Sequence, residues 1–285
     1  MIIANKWNNY EILDMANGEK LERWGDIILI RPDPQIIWQE KSFPNKWQEA
    51  HARYNRSKTG GGSWEINKKM PDSWTIKYNE LVFNLKPMGF KHTGIFPEQA
   101  VNWDWMMDKI NNSNKQVKVL NLFAYTGAAS VACLAAGASV CHVDSSKGMV
   151  TWAKENVASS GLQDKPIRYI VDDVQKFLER EIRRGNKYDA IIMDPPSYGR
   201  GTKGEVWQFE NNIEGLIEKS IEVLTDTPLF LLVNAYTTGI SSVVLENILK
   251  MKMKNMGNIS SGELGLPMAN SELILPCGIY ARWEI

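Results

Sequence analysis

The pattern of apolar and polar residues changes near residue 90. Before that point, short apolar stretches are separated by turn residues. The run DIILIRPDP is stopped by two prolines, and TIKYNELVFNLK alternates apolar and polar positions on both sides of a turn at Asn79-Glu80. The pattern predicts a small β-rich domain over residues 1–88.

From residue 90 onward, strand patterns and helix patterns alternate. FPEQAVNWDWMMDKI has apolar residues at helical spacing, and Pro97 suits a first helical turn. Five buried strands follow, each leading into a helix, in QVKVLNLFAYTG, SVCHVD, IRYIVDD, YDAIIMDPPS and PLFLLVNAY, and the tail supplies two closing strands. This order predicts an α/β domain over residues 89–285, with a doubly wound, mostly parallel, seven-stranded sheet.

Composition narrows the class of protein. With 285 residues and 44% hydrophobic positions, the chain can bury a sizeable core, which excludes wholesale disorder. Basic and acidic residues balance at 33 each, which argues against a strongly basic nucleic-acid coat and leaves room for a local basic groove. The eleven tryptophans can fill a core or stack on bases.

Cysteine, histidine and hydropathy patterns predict a protein of a reducing compartment, the cytoplasm by default. Cys133, Cys141 and Cys277 form no CxxC pair, and the three histidines complete no metal-binding spacing. The N-terminus lacks the apolar core of a signal peptide, and no apolar run approaches the ~18 residues of a membrane span. We therefore expect no metal and no membrane contact.

Polar or glycine-containing signals follow all five predicted parallel strands. In doubly wound sheets, ligands bind beyond the carboxyl ends of the strands, near the switch in strand order. The sequence therefore predicts a ligand site from the segments that follow the strands, which are Tyr125 to Gly127, Asp144, Asp172 with Asp173, Asp194 to Ser197, and Asn234 to Tyr236.

The loop NLFAYTG follows the first of these strands. Gly127 allows a tight turn into a helix N-terminus, but Phe123 and Tyr125 stand where a dinucleotide-binding loop needs glycine. The loop predicts a ligand without a pyrophosphate, or else a plain strand-to-helix turn. Asp144, at the end of the second strand, can accept the two hydroxyls of a ribose, or it can cap the next helix.

The third and fourth strands also end in carboxylates. One of Asp172 and Asp173 can accept a hydrogen bond from an adenine amino group, with Val174 against the ring, while the other caps the next helix; Asp173 is favoured for the base. In Asp194-Pro195-Pro196-Ser197 the prolines fix the backbone, so that carbonyls can hold an amine or a base edge. The alternative is a rigid turn.

The ordered segments NLFAYTG, HVD, DDVQKFL and YDAIIMDPPSYGRG resemble the class I S-adenosylmethionine-dependent methyltransferases, with their Rossmann-like fold. The branch with the 23S rRNA cytosine-5 methyltransferases is the most similar, and HTGIFPEQ at 92–99 resembles a segment that closes over the cofactor there. The resemblance covers about residues 20–285 and implies S-adenosyl-L-methionine as cofactor. The implied cofactor-binding residues are Thr93, Gly94, Phe96, Gln99, Asn121, Phe123, Tyr125, Thr126, Gly127, Asp144, Ser145, Asp172, Asp173, Val174 and Asp194. The implied catalytic residues are Asp194, Pro195, Pro196 and Ser197.

The sequence departs from that branch in two ways. The chain begins almost at once with the β-rich part, so we expect no N-terminal PUA domain. The catalytic cysteine that the branch carries after the fifth strand is missing from LVNAY at 232–236. Cys133 and Cys141 are predicted core residues, which leaves Cys277 as the only other candidate. Without a thiolate, we expect an exocyclic amine, a ring nitrogen or a hydroxyl to attack the methyl carbon directly.

The family resemblance implies RNA as the partner, either ribosomal RNA or an assembling subunit. The oligomeric state stays open. A basic, stacking surface would use Lys46, Arg53, Arg56, Lys58, Lys68 and Lys69 with Trp47, Trp64 and Trp74; alternatively, these tryptophans fill a core. Other hypotheses are a methyltransferase for a protein or small molecule, a nicotinamide-dependent oxidoreductase, and a non-catalytic RNA-binding protein. Phe123 and Tyr125 argue against the oxidoreductase.

Overall fold

The computed structural model describes residues 1–57, 61–200, 206–254 and 256–285. It divides into two compact units. The β unit consists of Ile2–Val101 and Leu264–Cys277, and the α/β unit of Asn102–Glu263 and Gly278–Ile285, together with Met1.

The β unit extends beyond the predicted boundary at 88/89. Residues 89–101 belong to it because they pair with its strands and loops: the Trp7 indole donates to the Pro97 carbonyl at 2.9 Å. The chain also returns to it near the C-terminus, where Ile12 forms a β-bridge with Met268. Hydrophobic periodicity reports local structure only, so the sequence pattern could not reveal this return.

The β unit contains a five-stranded sheet and a hairpin. The sheet has the order β2-β3-β4-β5-β6, antiparallel except for the parallel pair β4–β5, and β7 and β8 form the hairpin around the predicted turn. The short β1 pairs with Leu264 and Gly265. The strands are β1 (Ile2–Ile3), β2 (Tyr10–Ala16), β3 (Glu19–Trp24), β4 (Ile27–Pro32), β5 (Ala52–Arg56), β6 (Gly62–Ile66), β7 (Trp74–Tyr78) and β8 (Leu81–Leu85).

The tryptophans of the β unit serve packing rather than an exposed stacking surface. Trp47 is buried and donates its indole N–H to Asp14 Oδ2 at 2.8 Å. Trp64 and Trp74 are half-buried. Of the cations predicted beside them, Arg53 forms an ion pair with Glu19, and Lys58 lies outside the described residues.

The α/β unit follows the predicted alternation of strands and helices. A 3-10 turn at Pro97–Gln99 leads into α1, as Pro97 predicted. A short hairpin, β13–β14, was not predicted. The elements are α1 (Ala100–Asn111), β9 (Lys118–Leu122), α2 (Ala128–Ala135), β10 (Ser139–Asp144), α3 (Lys147–Ser159), β11 (Ile167–Val171), α4 (Val174–Arg184), β12 (Ala190–Met193), β13 (Tyr198–Arg200), β14 (Val206–Gln208), α5 (Phe209–Glu222), β15 (Phe230–Ala235), α6 (Ser242–Met253), β16 (Asn258–Pro267) and β17 (Ile274–Glu284).

The large sheet has the order β1-β16-β17-β15-β12-β9-β10-β11, which is eight strands rather than the predicted seven, because the short β1 pairs with β16. The strands from β15 to β11 are parallel, and β17 is antiparallel to β15. Helices cover both faces: Leu120 and Leu122 of β9 join the apolar core formed with α4, α5 and α6, whereas Asn121 between them bonds to Ser130 of α2. The predicted doubly wound, mostly parallel α/β fold is confirmed.

None of the helices in the described ranges combines the length and the apolar character needed to cross a bilayer.

Candidate functional site

The carboxyl ends of five parallel strands meet at one edge of the sheet. In register, Leu122 of β9 lies between Val143 of β10 and Met193 of β12. The residues that end or follow these strands are therefore neighbours along this edge. The chain passes from β9 to β10 and β11 on one side and then returns to β12 on the other, so this edge holds the switch point at which doubly wound sheets bind ligands.

A cavity of about 780 Å³ lies at the opposite edge, where Lys118, Ser139 and Ile167 begin their strands. It contains none of the residues predicted for the site. The chemistry of the strand ends, rather than the size of this cavity, identifies the site.

The loop after β9 has an unusual backbone. Phe123, Tyr125 and Gly127 all have positive φ, at 53°, 51° and 80°. A positive φ is uncommon for residues other than glycine and costs of order 1–3 kcal/mol, so it persists only where the surroundings enforce it. Such strain concentrates at ligand-binding sites. A Cβ added at Gly127 would lie 2.8 Å from the Ala153 Cβ, so the turn accepts only glycine without rearrangement.

Asp144 braces this loop rather than capping the next helix. Its Oδ2 accepts from the Tyr125 amide at 2.9 Å and its Oδ1 from the Ser146 amide at 2.8 Å, while Ser146 is the N-cap of α3. The carboxylate is half-buried, and its burial raises the pKa of Asp144 despite these two bonds. Each oxygen keeps a lone pair for a further donor. Ser145 is exposed beside it.

The third strand end differs from the predicted division of roles. Asp173 itself caps α4, because its Oδ1 accepts from the Lys176 amide at 3.0 Å. Asp172 forms an ion pair with Arg180 instead. A contact of Asp173 with adenine stays a prediction and would have to use its second oxygen. Val174 is buried as the first residue of α4.

The Asp194-Pro195-Pro196-Ser197 turn is held by its neighbours. The Asp194 amide donates to the Leu122 carbonyl at 3.4 Å, which ties the turn to the first strand. The Ser197 carbonyl accepts from the Phe209 amide at 3.0 Å, and the Thr237 and Ser197 hydroxyls are 3.0 Å apart. These hydrogen bonds therefore restrain the turn in addition to its two prolines.

Trp207, which the sequence analysis did not single out, packs against both loops. Its indole N–H donates to the Pro196 carbonyl at 2.6 Å, and its ring lies 5.4 Å from that of Phe123. The Pro196 carbonyl is thus occupied by Trp207. The Asp194 carboxylate and the Pro195 carbonyl are further hydrogen-bond acceptors in this turn.

A series of hydrogen-bonded polar side chains lies next to the first loop. The Asn121 amide donates to Ser130 Oγ at 2.9 Å, and Ser130 Oγ lies 3.0 Å from His142 Nδ1. His142 is fully buried, and within the described part of the chain its Nε2 has no partner. Asn121 therefore contributes to the packing of α2 against β9. Thr126 is also buried, and its carbonyl accepts from Asn156 at 2.8 Å.

We expect acid to destabilise the protein through His142. Burial lowers the pKa of His142 from 6.5 to about 4. Between these values the unfolded chain binds a proton that the folded chain does not, so stability is lost as the pH falls from 6.5 towards 4. The full effect is about 3 kcal/mol. Urea unfolding at pH 7 and pH 5 measures it, with a smaller difference expected for His142→Gln.

If His142→Gln does not fold, imidazole NMR of the wild type provides the same test. The chain has three histidines, so the spectrum is simple. A His142 signal that titrates near 6.5 would contradict the prediction.

A buried network also underlies the end of β15. Asn102 donates to Asn234 Oδ1 at 2.9 Å and accepts from the Arg282 guanidinium at 2.6 Å. Arg282 stacks over the rings of Trp105 and Tyr280, and burial lowers its pKa. Because Asn234 Oδ1 is occupied, its amide nitrogen is the group oriented for another contact.

The remaining predicted cofactor residues belong to the β unit. Thr93 and Gln99 are buried, Gly94 has a φ of 130°, and the Phe96 ring lies 5.0 Å from that of His92. Within the described residues, Thr93 Oγ1 is buried without a hydrogen-bond partner. Their role toward a cofactor stays a prediction.

None of the three thiols is activated. Burial raises the pKa of Cys133 to about 12 and also raises that of Cys141. Cys277 is in the β unit, where burial and the nearby Glu98 carboxylate hold its pKa well above the usual range. A thiol acts as a nucleophile through its thiolate, so these environments oppose nucleophilic catalysis.

The chemistry of the edge fits a nucleoside cofactor that carries a positive charge. Asp144 and Asp173 offer acceptors for hydroxyl and amino groups, and the loops 121–127 and 194–197 contain no Lys or Arg that would repel a sulfonium. No glycine-rich phosphate cradle is present in either loop. In the ranges that the structure covers, no group of three or more His, Cys, Asp or Glu is arranged to hold a metal ion.

Comparisons with known proteins agree with this chemistry. The family model for S-adenosylmethionine-dependent methyltransferases matches residues 50–245. A methyltransferase of Agrobacterium tumefaciens that depends on the same cofactor has a solved structure that is 36% identical, with a TM-score of 0.94 over 99% of this chain and 92% of that one. A methyltransferase from Streptococcus mutans shares the fold at 19% identity and a TM-score of 0.74, covering 98% of this chain and 76% of that one.

A curated relative gives a more specific comparison. The chain is 34% identical over 148 residues to ribosomal RNA large subunit methyltransferase K/L of Pseudoalteromonas atlantica. The match covers 51% of this chain and 20% of that protein, so the chain matches about a fifth of the relative's length.

Proposed function

Because the chain belongs to the family of S-adenosylmethionine-dependent methyltransferases, we propose that it methylates a nitrogen of an RNA base, with ribosomal RNA as the substrate. The observation that supports a nitrogen as the methylated atom is the rigid Asp194-Pro195-Pro196-Ser197 turn at the switch point. The three thiols all have raised pKa values, which disfavours a mechanism that needs a thiolate. The similarity to the large-subunit methyltransferase K/L supports ribosomal RNA.

The turn supplies two acceptors for a base amine. Trp207 donates to the Pro196 carbonyl and the Phe209 amide donates to the Ser197 carbonyl. We infer that a base amine donates to the Asp194 carboxylate and the Pro195 carbonyl, whose oxygens can each accept more than one hydrogen bond. Two acceptors held in place orient the nitrogen lone pair at little entropic cost. When bound, S-adenosylmethionine supplies an electron-poor methyl group on a positively charged sulfur.

The protein's own contribution is then positioning and removal of a proton. The nitrogen would gain the methyl group as the sulfur–methyl bond breaks, with the electron pair of that bond left on the sulfur of the departing thioether. The nitrogen would also lose one proton, for which Asp194 is the adjacent acceptor. Asp144 would hold the ribose and Asp173 the adenine. A cytoplasmic location forms part of the proposal, and the three free cysteines suit a reducing compartment.

The test is transfer of labelled methyl groups from S-adenosylmethionine to RNA and protein from a strain that lacks the gene. Mass analysis of the labelled nucleosides identifies the atom. We expect one N-methylated base. Asp194→Asn is expected to lower the rate of methyl transfer at least about 100-fold. Asp226 is an exposed carboxylate outside the site, so Asp226→Asn is expected to leave the rate unchanged. Label at cytosine C5 would overturn direct attack, and label in protein alone would overturn RNA as substrate.

A further inference from the structure

The loop 88–92 of the β unit presents an aromatic ring and a cation together. Phe90 is 43% exposed, a large fraction for a phenylalanine, and Lys91 follows it directly. The Phe90 ring contacts His92 edge-on at 5.4 Å. An exposed aromatic ring beside a cation is the combination that single-stranded nucleic acids bind, because every base has a face that can stack.

The backbone of this loop is fixed in place. The Trp64 indole donates to the Met88 carbonyl at 2.8 Å, and the Tyr54 hydroxyl donates to the Gly89 carbonyl at 3.4 Å. The Arg31 guanidinium donates to the Lys91 carbonyl at 3.1 Å. Three side chains from the adjacent strands β4, β5 and β6 therefore hold the loop, so that Phe90 and Lys91 need little ordering when a ligand binds.

Positive charge is in excess around the loop. Arg31 and Lys20 are paired with carboxylates, since Arg31 lies 2.6 Å from Glu22 and Lys20 lies 3.3 Å from Asp33. Arg56 and Lys91, by contrast, form no salt bridge with any residue that the structure describes. Arg56 is exposed at the end of β5.

The pKa values in the loop report the same excess. Burial lowers the pKa of Lys91 to about 8, with Lys20, Arg31 and Arg56 lowering it further and Asp33 opposing them. Burial and the same cations, with Lys91, lower the pKa of His92 to about 3. A partly buried cation gains free energy when an anion approaches, because the anion offsets part of the cost of burying the charge.

We propose that Phe90, Lys91 and Arg56 form a subsite for single-stranded RNA, in which a base stacks on Phe90 and a backbone phosphate lies between Lys91 and Arg56. This subsite rests on the proposed function and deepens it, because it names the part of the substrate that the β unit would hold. The tryptophans that the sequence suggested for this role are engaged in packing, whereas Phe90 is exposed.

The test measures how a short fluorescein-labelled oligouridylate binds to the full chain. Fluorescence anisotropy gives the affinity at each of several salt concentrations. Phe90→Leu keeps apolar bulk and removes the aromatic face, and we expect binding to weaken roughly tenfold. Arg56→Gln and Lys91→Gln are each expected to weaken binding and to reduce the slope of log affinity against log salt by about 0.7. Lys77 is an exposed lysine of β7, and Lys77→Gln is the matched control. We expect this variant to keep both the affinity and the salt slope of the wild type.

The outcomes separate the subsite from the proposed function. Oligouridylate binding that is unchanged in all three variants overturns the subsite, whatever the wild type methylates. If Lys91→Gln weakens binding of S-adenosylmethionine and leaves oligouridylate binding intact, the cation serves a carboxylate of the cofactor, and the subsite is again overturned. The proposed function is tested separately, by transfer of labelled methyl groups. It is overturned if the wild type transfers no label to RNA.

Discussion

Asp144→Ala is expected to weaken the binding of S-adenosylmethionine at least about 100-fold. A charged acceptor contributes about 1.5–3 kcal/mol per hydrogen bond, so the loss of the two proposed ribose contacts would amount to about 3 kcal/mol or more. The variant also frees the amides of Tyr125 and Ser146, which Asp144 holds at 2.9 and 2.8 Å. Isothermal titration calorimetry measures the affinity.

Two variants separate the carboxylate's contact with ligand from its bracing of the loop. Asp144→Asn keeps one acceptor oxygen for the loop and loses the charge, so we expect an intermediate affinity. Asp164→Ala removes an exposed carboxylate beyond α3 and is the matched control, with unchanged affinity. Wild-type affinity in a folded Asp144→Ala protein would remove Asp144 from the proposed ribose site.

Gly127→Ala is expected to have the second large effect, on stability and cofactor binding together. An alanine at φ +80° costs about 1–2 kcal/mol in the backbone. Its Cβ would lie 2.8 Å from the Ala153 Cβ and 3.3 Å from the His142 ring, which adds about 1–3 kcal/mol of overpacking. We therefore expect the free energy of unfolding to fall by about 3 kcal/mol and the cofactor affinity to fall more than tenfold.

The chain provides a matched glycine for this test. Gly137 has a similar φ of 90°, but a Cβ added there meets nothing within 4 Å. Gly137→Ala should therefore show only the backbone cost and bind the cofactor normally. Urea unfolding and calorimetry on both variants isolate the steric part, and equal destabilisation of the two would show that the contact with Ala153 relaxes without cost.

The α/β architecture could be predicted because its information is local. Each buried strand is a short apolar run, and its end is marked by a turn residue or a carboxylate. Parallel strands necessarily bring those ends to one edge. The position of Asp144, Asp172 and Asp194 along that edge therefore followed from the order of elements, without knowledge of any side-chain contact.

What the sequence did not reveal depends on contacts between distant positions. Asn102, Asn234 and Arg282 form one network although they are separated by 132 and 180 residues. Arg180 reaches Asp172 from the second turn of α4, which left Asp173 as the cap. Trp207 is one aromatic residue among many in the sequence, and only folding shows that it contacts the two loops of the site.

The division of the β unit between the two ends of the chain has a consequence for biosynthesis. Its final segment, Leu264–Cys277, is translated roughly 160 residues after Val101. At 5–20 residues per second, this delay is roughly 10–30 s. Until then the nascent β unit lacks the partners of Ile2 and Ile12. The part of the chain that is made first therefore cannot complete its fold until almost all of the chain has been made, and a fragment that ends at Val101 would expose the same unpaired strand edges.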